Sequence, residues 1–173
     1  MCRCIAIEPH GPYTARIEPM KRLLSLVDSP WIKCNYDSGN TFLAGPDPYE
    51  MLEAVIEKVV HVHAKDISVK QVEEERGTVT STAVGCDCGD GVIDWKGRVE
   101  RQKTVGYKGV LSVECGTEEE AVRSLAHLTK VLQELDACGR PVFLYGSGMR
   151  AKPALGSLSD NFTWAFPYWV LVF

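Results

Sequence analysis

Apolar and polar positions along residues 1–139 fall into one arrangement repeated four times. Each repeat is a short apolar run, a polar loop, and a stretch with apolar residues three or four apart. The first run, Arg3 to Glu8, reads as a strand and ends in the turn-prone Pro9-His10-Gly11-Pro12. Ile17, Met20, Leu24 and Val27 follow at helical spacing until Ser29-Pro30 stops them. The second strand runs from Trp31 to Asp37 and opens into a loop, Ser38-Gly39-Asn40. Asp47-Pro48 then offers an N-cap and a proline at the first helical position. Leu52, Val55, Ile56 and Val59 form that helix's stripe, and the third strand, Val59 to Lys65, overlaps its end. A long loop rich in Thr, Gly, Asp and Cys spans Ile67 to Ile93, with a short helix over Lys70 to Arg76. Asp94 caps a weakly amphipathic helix that ends near Gly106, and the fourth strand is Gly109 to Glu114. Thr117 and Glu120 make a capping box for a last helix with the stripe Leu125, Leu128, Leu132 and Leu135, ended by Gly139.

Strands alternating with helices predict an α/β fold, a parallel sheet joined by right-handed crossovers. Four such units fit either a small open sheet or half of an eightfold barrel. No GxGxxG or P-loop follows any strand, which weakens the nucleotide-binding open sheets. From Arg140 the character changes to a glycine- and serine-rich stretch, Leu144 to Asp160, and an uncharged apolar end, Phe162 to Phe173. A docking strand, a buried tail and an unnatural terminus all fit that end. The expected organisation is therefore four βα units over 1–139 and an irregular tail over 140–173.

Composition narrows the class further. At 173 residues, 45% hydrophobic and 24% charged, the chain suits one globular domain rather than a disordered or collagen-like one. A net charge of −4 without a long basic run points away from nucleic acid and from anionic membranes as partners. No run reaches the roughly 20 apolar residues that cross a bilayer. The opening residues, Met1 to Glu8, meet charge too early for a secretory signal. Seven cysteines, an odd and scattered set, favour reduced thiols and a cytoplasmic location. A small soluble enzyme is the expectation.

Its chemistry is expected where the strands end. Glu8, Asp37, His63 and Glu114 each close one strand, at the end where parallel α/β folds place their active sites. Alternation puts each of them on the more polar strand face, with Ile5 and Ile7, Cys34 and Tyr36, Val60 and Val62, Leu111 and Val113 opposite. A strand-end acid often merely begins a loop, but four in succession argue for convergence on one ion. Three carboxylates and one imidazole form a hard set that favours Mn²⁺, Mg²⁺ or Co²⁺, with Zn²⁺ also accommodated. The pairs Cys2/Cys4 and Cys86/Cys88 lack the usual zinc spacing and read as ordinary thiols. His61, one layer below His63, reads as a core histidine, and His127 as a surface one.

The motifs Ile5-Ala6-Ile7-Glu8-Pro9-His10, Asp37-Ser38-Gly39-Asn40, His61-Val62-His63-Ala64-Lys65-Asp66, Gly89 to Trp95 and Gly106 to Glu114 carry a resemblance. Together and in this order they resemble the sugar phosphate isomerase/epimerase family. These are xylose-isomerase-like barrels that also include inosose dehydratases, ketose 3-epimerases and, more distantly, endonuclease IV. The resemblance covers most of residues 3–137. It implies that Glu8, Asp37, His63 and Glu114 bind a divalent ion, and that Glu8 and Glu114 act as base and acid on a sugar or polyol. An enediolate would form, leading to isomerisation or epimerisation, or on the same site to dehydration of an inosose. His10, Asn40, Lys65 and Asp66 become candidate substrate-binding residues, Lys65 and Asp66 alternatively forming a pair that orients their loop. A complete barrel has eight strands and about 250 residues, so the chain corresponds to its last four. Such a half has two open sheet edges, which predicts self-association, pairing with the other half-barrel, or a catalytically inert piece.

Overall fold

The alternating units form one sheet because each strand has an apolar face that only a helix layer can cover. The computed structural model describes residues 4–82, 84–137, 143–144 and 169–172. Strands β1 (Ile5–Ile7), β2 (Ile32–Asp37), β3 (Val59–Ala64) and β4 (Val110–Val113) lie parallel in chain order. Between them run α1 (Gly11–Thr14), α2 (Ile17–Ser25), α3 (Ser38–Leu43), α4 (Pro48–Val55), α5 (Val69–Glu75) and α6 (Trp95–Thr104), and α7 (Glu118–Glu134) follows β4. Cys34, Tyr36, Val62, Ala64, Leu111 and Val113 pack with Met20, Leu24, Met51, Leu52, Val99, Leu125, Leu128 and Leu132 into one core. The opposite face carries Asn35, Asp37, His61, His63 and Ser112.

The expected caps are present. The Asp47 carboxylate accepts from Tyr49 N and Glu50 N, Asp94 accepts from Gly97 N, and Thr117 with Glu120 closes a capping box. The short helix expected within Lys70 to Arg76 is α5, opened by a second box, Ser68 with Gln71.

Four expectations are corrected. Residues 38–40, read as loop, open α3, whose start is capped by Asp37 through Asn40 N at 2.8 Å. That helix has no apolar stripe because nearly all of it is buried, small and polar residues included. Val27 is not part of a helical stripe: α2 ends at Ser25 and Val27 is 59% exposed. The last helix turns off at Asp136, with φ of 50°, before Gly139, which lies outside the described residues. The tail is not wholly irregular either. Phe143–Leu144 (β5) and Trp169–Val172 (β6) are strands, and β6 runs antiparallel along β4. Trp-Val-Leu-Val is a run of strand formers, and the unpaired edge of β4 gives its backbone a ladder. Of the two open edges expected, only the outer edge of β1 remains unpaired among the described residues.

Helix α6 carries a packing defect. Arg98 is 1% exposed, its guanidinium lies over the rings of Trp95 (4.8 Å) and Tyr36 (5.1 Å), and its three nitrogens have no hydrogen-bond partner among the described residues. Gln102, one turn on, is equally buried and unpartnered. Burial lowers the Arg98 pKa, a sign that the charge is poorly accommodated. Arg98→Met keeps an unbranched stem and removes the charge, so a gain of about 2 kcal/mol is expected. A higher urea midpoint at unchanged slope would show it, and a lower midpoint would show that the guanidinium is productively held.

Candidate metal centre

The parallel register brings the strand ends together. Asp37 pairs with His63 and His63 with Ser112 across β2, β3 and β4, so Glu114, just past β4, follows on the same rim. Glu8 follows β1 directly. One donor atom from each of Glu8, Asp37, His63 and Glu114 lies within 4.8 Å of the other three. Nδ1 of His63 faces Glu114 Oε2 at 3.0 Å, Glu8 Oε1 at 3.1 Å and Asp37 Oδ2 at 3.9 Å. Three carboxylates thus crowd one ring nitrogen, which can offer them a single proton.

Lys65 backs this cluster from inside. Its side chain is 1% exposed, and its ammonium lies 3.2 Å from Asp37 Oδ2 and 3.1 Å from Glu114 Oε1. It also donates to Thr82 O at 2.7 Å and Asn40 Oδ1 at 3.3 Å. Room for the lysine stem comes from Gly39, where a Cβ would stand 2.7 Å from Lys65 Cγ. Asn40 spends its amide on the site itself: Nδ2 donates to Asp37 Oδ2 at 3.1 Å and Oδ1 accepts from Lys65 and Thr82 N. His10 sits exposed at the rim, its Nδ1 3.5 Å from Asn40 Nδ2.

The electrostatics follow from burial among unlike charges. Burial pushes Asp37 up to about 6, although Lys65 pulls the other way. Burial alone would lower His63, but the hydrogen bonds it donates to Glu114 and Glu8 and the charge of Asp37 raise it to about 10. Lys65 is raised and Glu114 lowered, each against its own burial, by the charges they share. Three carboxylates against one lysine leave two negative charges, the charge of one divalent cation. Glu114 Oε2 is buried and turned toward the His63 ring nitrogen at 3.0 Å, an acceptor aimed into the cluster. The residues fit a hard divalent ion, and the His63 proton occupies the place such an ion would neutralise.

Asp66 stands apart from this network. Its carboxylate accepts from Ile67 N, Gly89 N, Ile93 N and Trp95 Nε1 at 2.7–3.0 Å, and Lys65 pairs with Asp37 and Glu114 instead. A side chain at Gly91 would collide with it, since a Cβ there would lie 2.1 Å from Oδ1. Asp66 ties the 85–94 loop to the sheet. The five described cysteines are free thiols, Cys2 lying outside the described residues: Cys88 is buried with Sγ 3.4 Å from Ala64 O, and the carboxylate–imidazole group is the one metal-type cluster among the described residues.

A second polar layer lies beneath the first, two residues back on β2, β3 and β4, where Asn35, His61 and Ser112 stand. His61 Nε2 contacts Ser112 Oγ, and the His61 ring stands edge-on to His63 at 5.2 Å. Burial and the neighbouring His63 lower His61 to about 4. Folding then favours neutral His61, a contribution present above pH 6.5 and lost as pH falls through about 4. His61→Gln is expected to flatten the acid limb of stability by up to about 1.4 kcal/mol per pH unit in that window. Urea unfolding of both proteins between these pH values measures it, and identical slopes would count against a neutral His61. Asn35 and Thr82 were not expected at the site. The alternation that places Asn35 on the face of Asp37 was the signal for the first, whereas nothing local marks Thr82.

The family pattern described as "Xylose isomerase-like TIM barrel" matches residues 4–168. The chain belongs to the xylose isomerase-like TIM barrel family. Curated relatives include an inosose dehydratase of Lacticaseibacillus casei, 28% identical over 130 residues, covering 72% of this chain and 43% of the relative. The inosose dehydratase of Geobacillus thermodenitrificans is 29% identical over 129 residues, with 70% and 43% covered. Solved barrels share the fold: a xylose isomerase domain protein from Planctomyces limnophilus (TM-score 0.64, 22% identity, 78% of this chain and 49% of that one) and a D-tagatose 3-epimerase-like protein (0.61, 20%, 77% and 48%). The chain therefore spans less than half the length of these xylose isomerase-like relatives. No helix among its described residues is long and apolar enough to cross a membrane.

Proposed function

We propose that Glu8, Asp37, His63 and Glu114 hold one divalent cation, with Mn²⁺, Mg²⁺ or Co²⁺ suiting the donor set better than Zn²⁺, and that the site removes a proton beside the carbonyl of a sugar- or cyclitol-type hydroxy-ketone. The observation that carries this is the meeting of those four side chains within 4.8 Å at the strand ends. A bound cation supplies a positive centre for the carbonyl, its neighbouring hydroxyl and the negative charge that grows on them.

The rest is the chain's own work. Glu8 and Glu114 flank the same imidazole nitrogen at 3.1 and 3.0 Å, a placement that suits one for taking the proton and the other for returning it. Lys65 and Asn40 hold Asp37 and Glu114 in position, and the exposed His10 is offered to substrate oxygens. Dehydration is the favoured outcome because the curated relatives cited are inosose dehydratases. The second carboxylate would then protonate a departing hydroxyl, which leaves as water. The paired glutamates also support a second reading, epimerisation or isomerisation, in which the proton returns to carbon. We extend the proposal to a complementary half-barrel, from a second copy or a companion chain, along the outer edge of β1, where Ile5 is 67% exposed.

The full chain loaded with Mn²⁺ or Co²⁺ in deuterated water, offered an inosose and a ketose panel, tests the chemistry. Water loss with a new enone absorbance supports dehydration, and deuterium at carbon without water loss supports epimerisation. A metal-loaded chain that exchanges no C–H bond in any of them would contradict the reading.

A further inference from the structure

Asn35, a polar side chain of the lower layer, meets the His63 imidazole at Nε2, the nitrogen away from the carboxylates. Its Nδ2 lies 3.1 Å from His63 Nε2, while its Oδ1 is buried without a donor among the described residues. The two amide atoms are interchanged by a half-turn about the side chain, so the chemistry of the partners decides which of them faces the ring. The imidazole does. Nδ1 is the nitrogen turned toward Glu8, Glu114 and Asp37, so it is the nitrogen that would meet a cation, and its lone pair must then be free. The ring's remaining proton must sit on Nε2, and an N–H there needs an acceptor. Among the side chains with a described contact to Nε2, the amide of Asn35 supplies one.

We propose that Asn35 is a positioning residue: its Oδ1 accepts the Nε2–H of His63 and fixes the ring in the tautomer and orientation that present Nδ1 to the cation. The inference rests on the metal reading above. The physical reason is that a metal-ligating histidine is held by the partner of its other nitrogen, which selects the tautomer and raises the ligand's basicity. Strand geometry makes the contact rigid. Asn35 and Asp37 share one face of β2, and the register shift between Cys34 and Asn35 sets Asn35 opposite His61 and Asp37 opposite His63. The same two-residue step therefore delivers a ligand to the cluster and a support to the neighbouring ligand. His61, edge-on to His63, limits rotation of the ring from below but offers its own Nε2 to Ser112.

Three forms of the full chain test this: wild type, Asn35→Leu, which keeps the size and removes the acceptor, and Asn35→Asp, which keeps an acceptor. Mn²⁺ affinity by calorimetry is expected to fall roughly 10- to 100-fold in Asn35→Leu and to stay within about threefold in Asn35→Asp. Nitrogen-15 spectra of the Zn²⁺-loaded protein give a readout that shape alone would not move. His63 is expected as the Nε2–H tautomer in wild type and Asn35→Asp, with a mixed or solvent-exchanging signal in Asn35→Leu. Circular dichroism identifies any variant that fails to fold, and Asn35→Asp then carries the comparison against wild type. Equal affinity and an unchanged tautomer in Asn35→Leu, or an Asn35→Asp as weak as Asn35→Leu, would overturn the role of Asn35. A wild type that binds no Mn²⁺ would instead overturn the metal reading on which it rests.

Discussion

Asp66→Ala is expected to cost the protein about 4 kcal/mol or more, close to the whole stability of many domains of this size. The carboxylate is fully buried and accepts four hydrogen bonds, from three backbone N–H groups and the Trp95 indole. Three of these donors, Ile67 N, Ile93 N and the Trp95 indole, are buried; each left without a partner costs about 1–3 kcal/mol, and an alanine offers none of them an oxygen. The loop they tie down begins α6 and covers Ala64 through Cys88. Loss should therefore show first as proteolytic cutting between residues 85 and 94, then as a lower urea midpoint. A drop under 1 kcal/mol would mean that water replaces the carboxylate and that the loop is held by other contacts.

Lys65→Met is expected to have the next largest effect, about 3–5 kcal/mol in metal-free protein, the usual cost of breaking a buried ion pair from one side. Its ammonium neutralises Asp37 and Glu114 at 3.2 and 3.1 Å in a place with almost no water access. Without it Asp37, already raised to about 6, rises further and takes up a proton near neutral pH. The variant also makes a distinctive forecast for divalent ions. Mn²⁺ should restore more stability to Lys65→Met than it adds to wild type, because the carboxylates have lost the buried ammonium that neutralises them. Thermal unfolding with and without Mn²⁺ reads this directly. Equal metal-induced shifts in both proteins would separate Lys65 from the cluster.

Much of this was legible in the sequence, for definite reasons. Two-residue alternation fixed the faces of β2, β3 and β4, so Asp37, His63 and Glu114 could be placed on one rim before any contact was known. Caps at Asp47, Asp94 and Thr117 are local chemistry and were read locally. What depends on distant partners was not readable. Helix α3 has no stripe because its surroundings are protein on nearly every side. Asp66 looks like a substrate group at a strand end until the loop folds back and presents four donors to it. Strand β6 needs the vacant edge of β4, which lies more than fifty residues earlier in the chain. Arg98 and Gln102 fall where periodicity asks for apolar side chains, and the weak amphipathicity of that helix was the only sign.

Everything proposed about chemistry depends on four side chains sharing one cation. Titration of the metal-free chain with Mn²⁺, followed by the electron paramagnetic resonance of the free ion, measures this without any substrate. One saturable site per chain is expected, weakened at least about 100-fold by His63→Ala or Glu114→Gln, since removing a ligand should cost no less than removing its support. Absence of saturable binding, or a site of the same affinity after both substitutions, would contradict it.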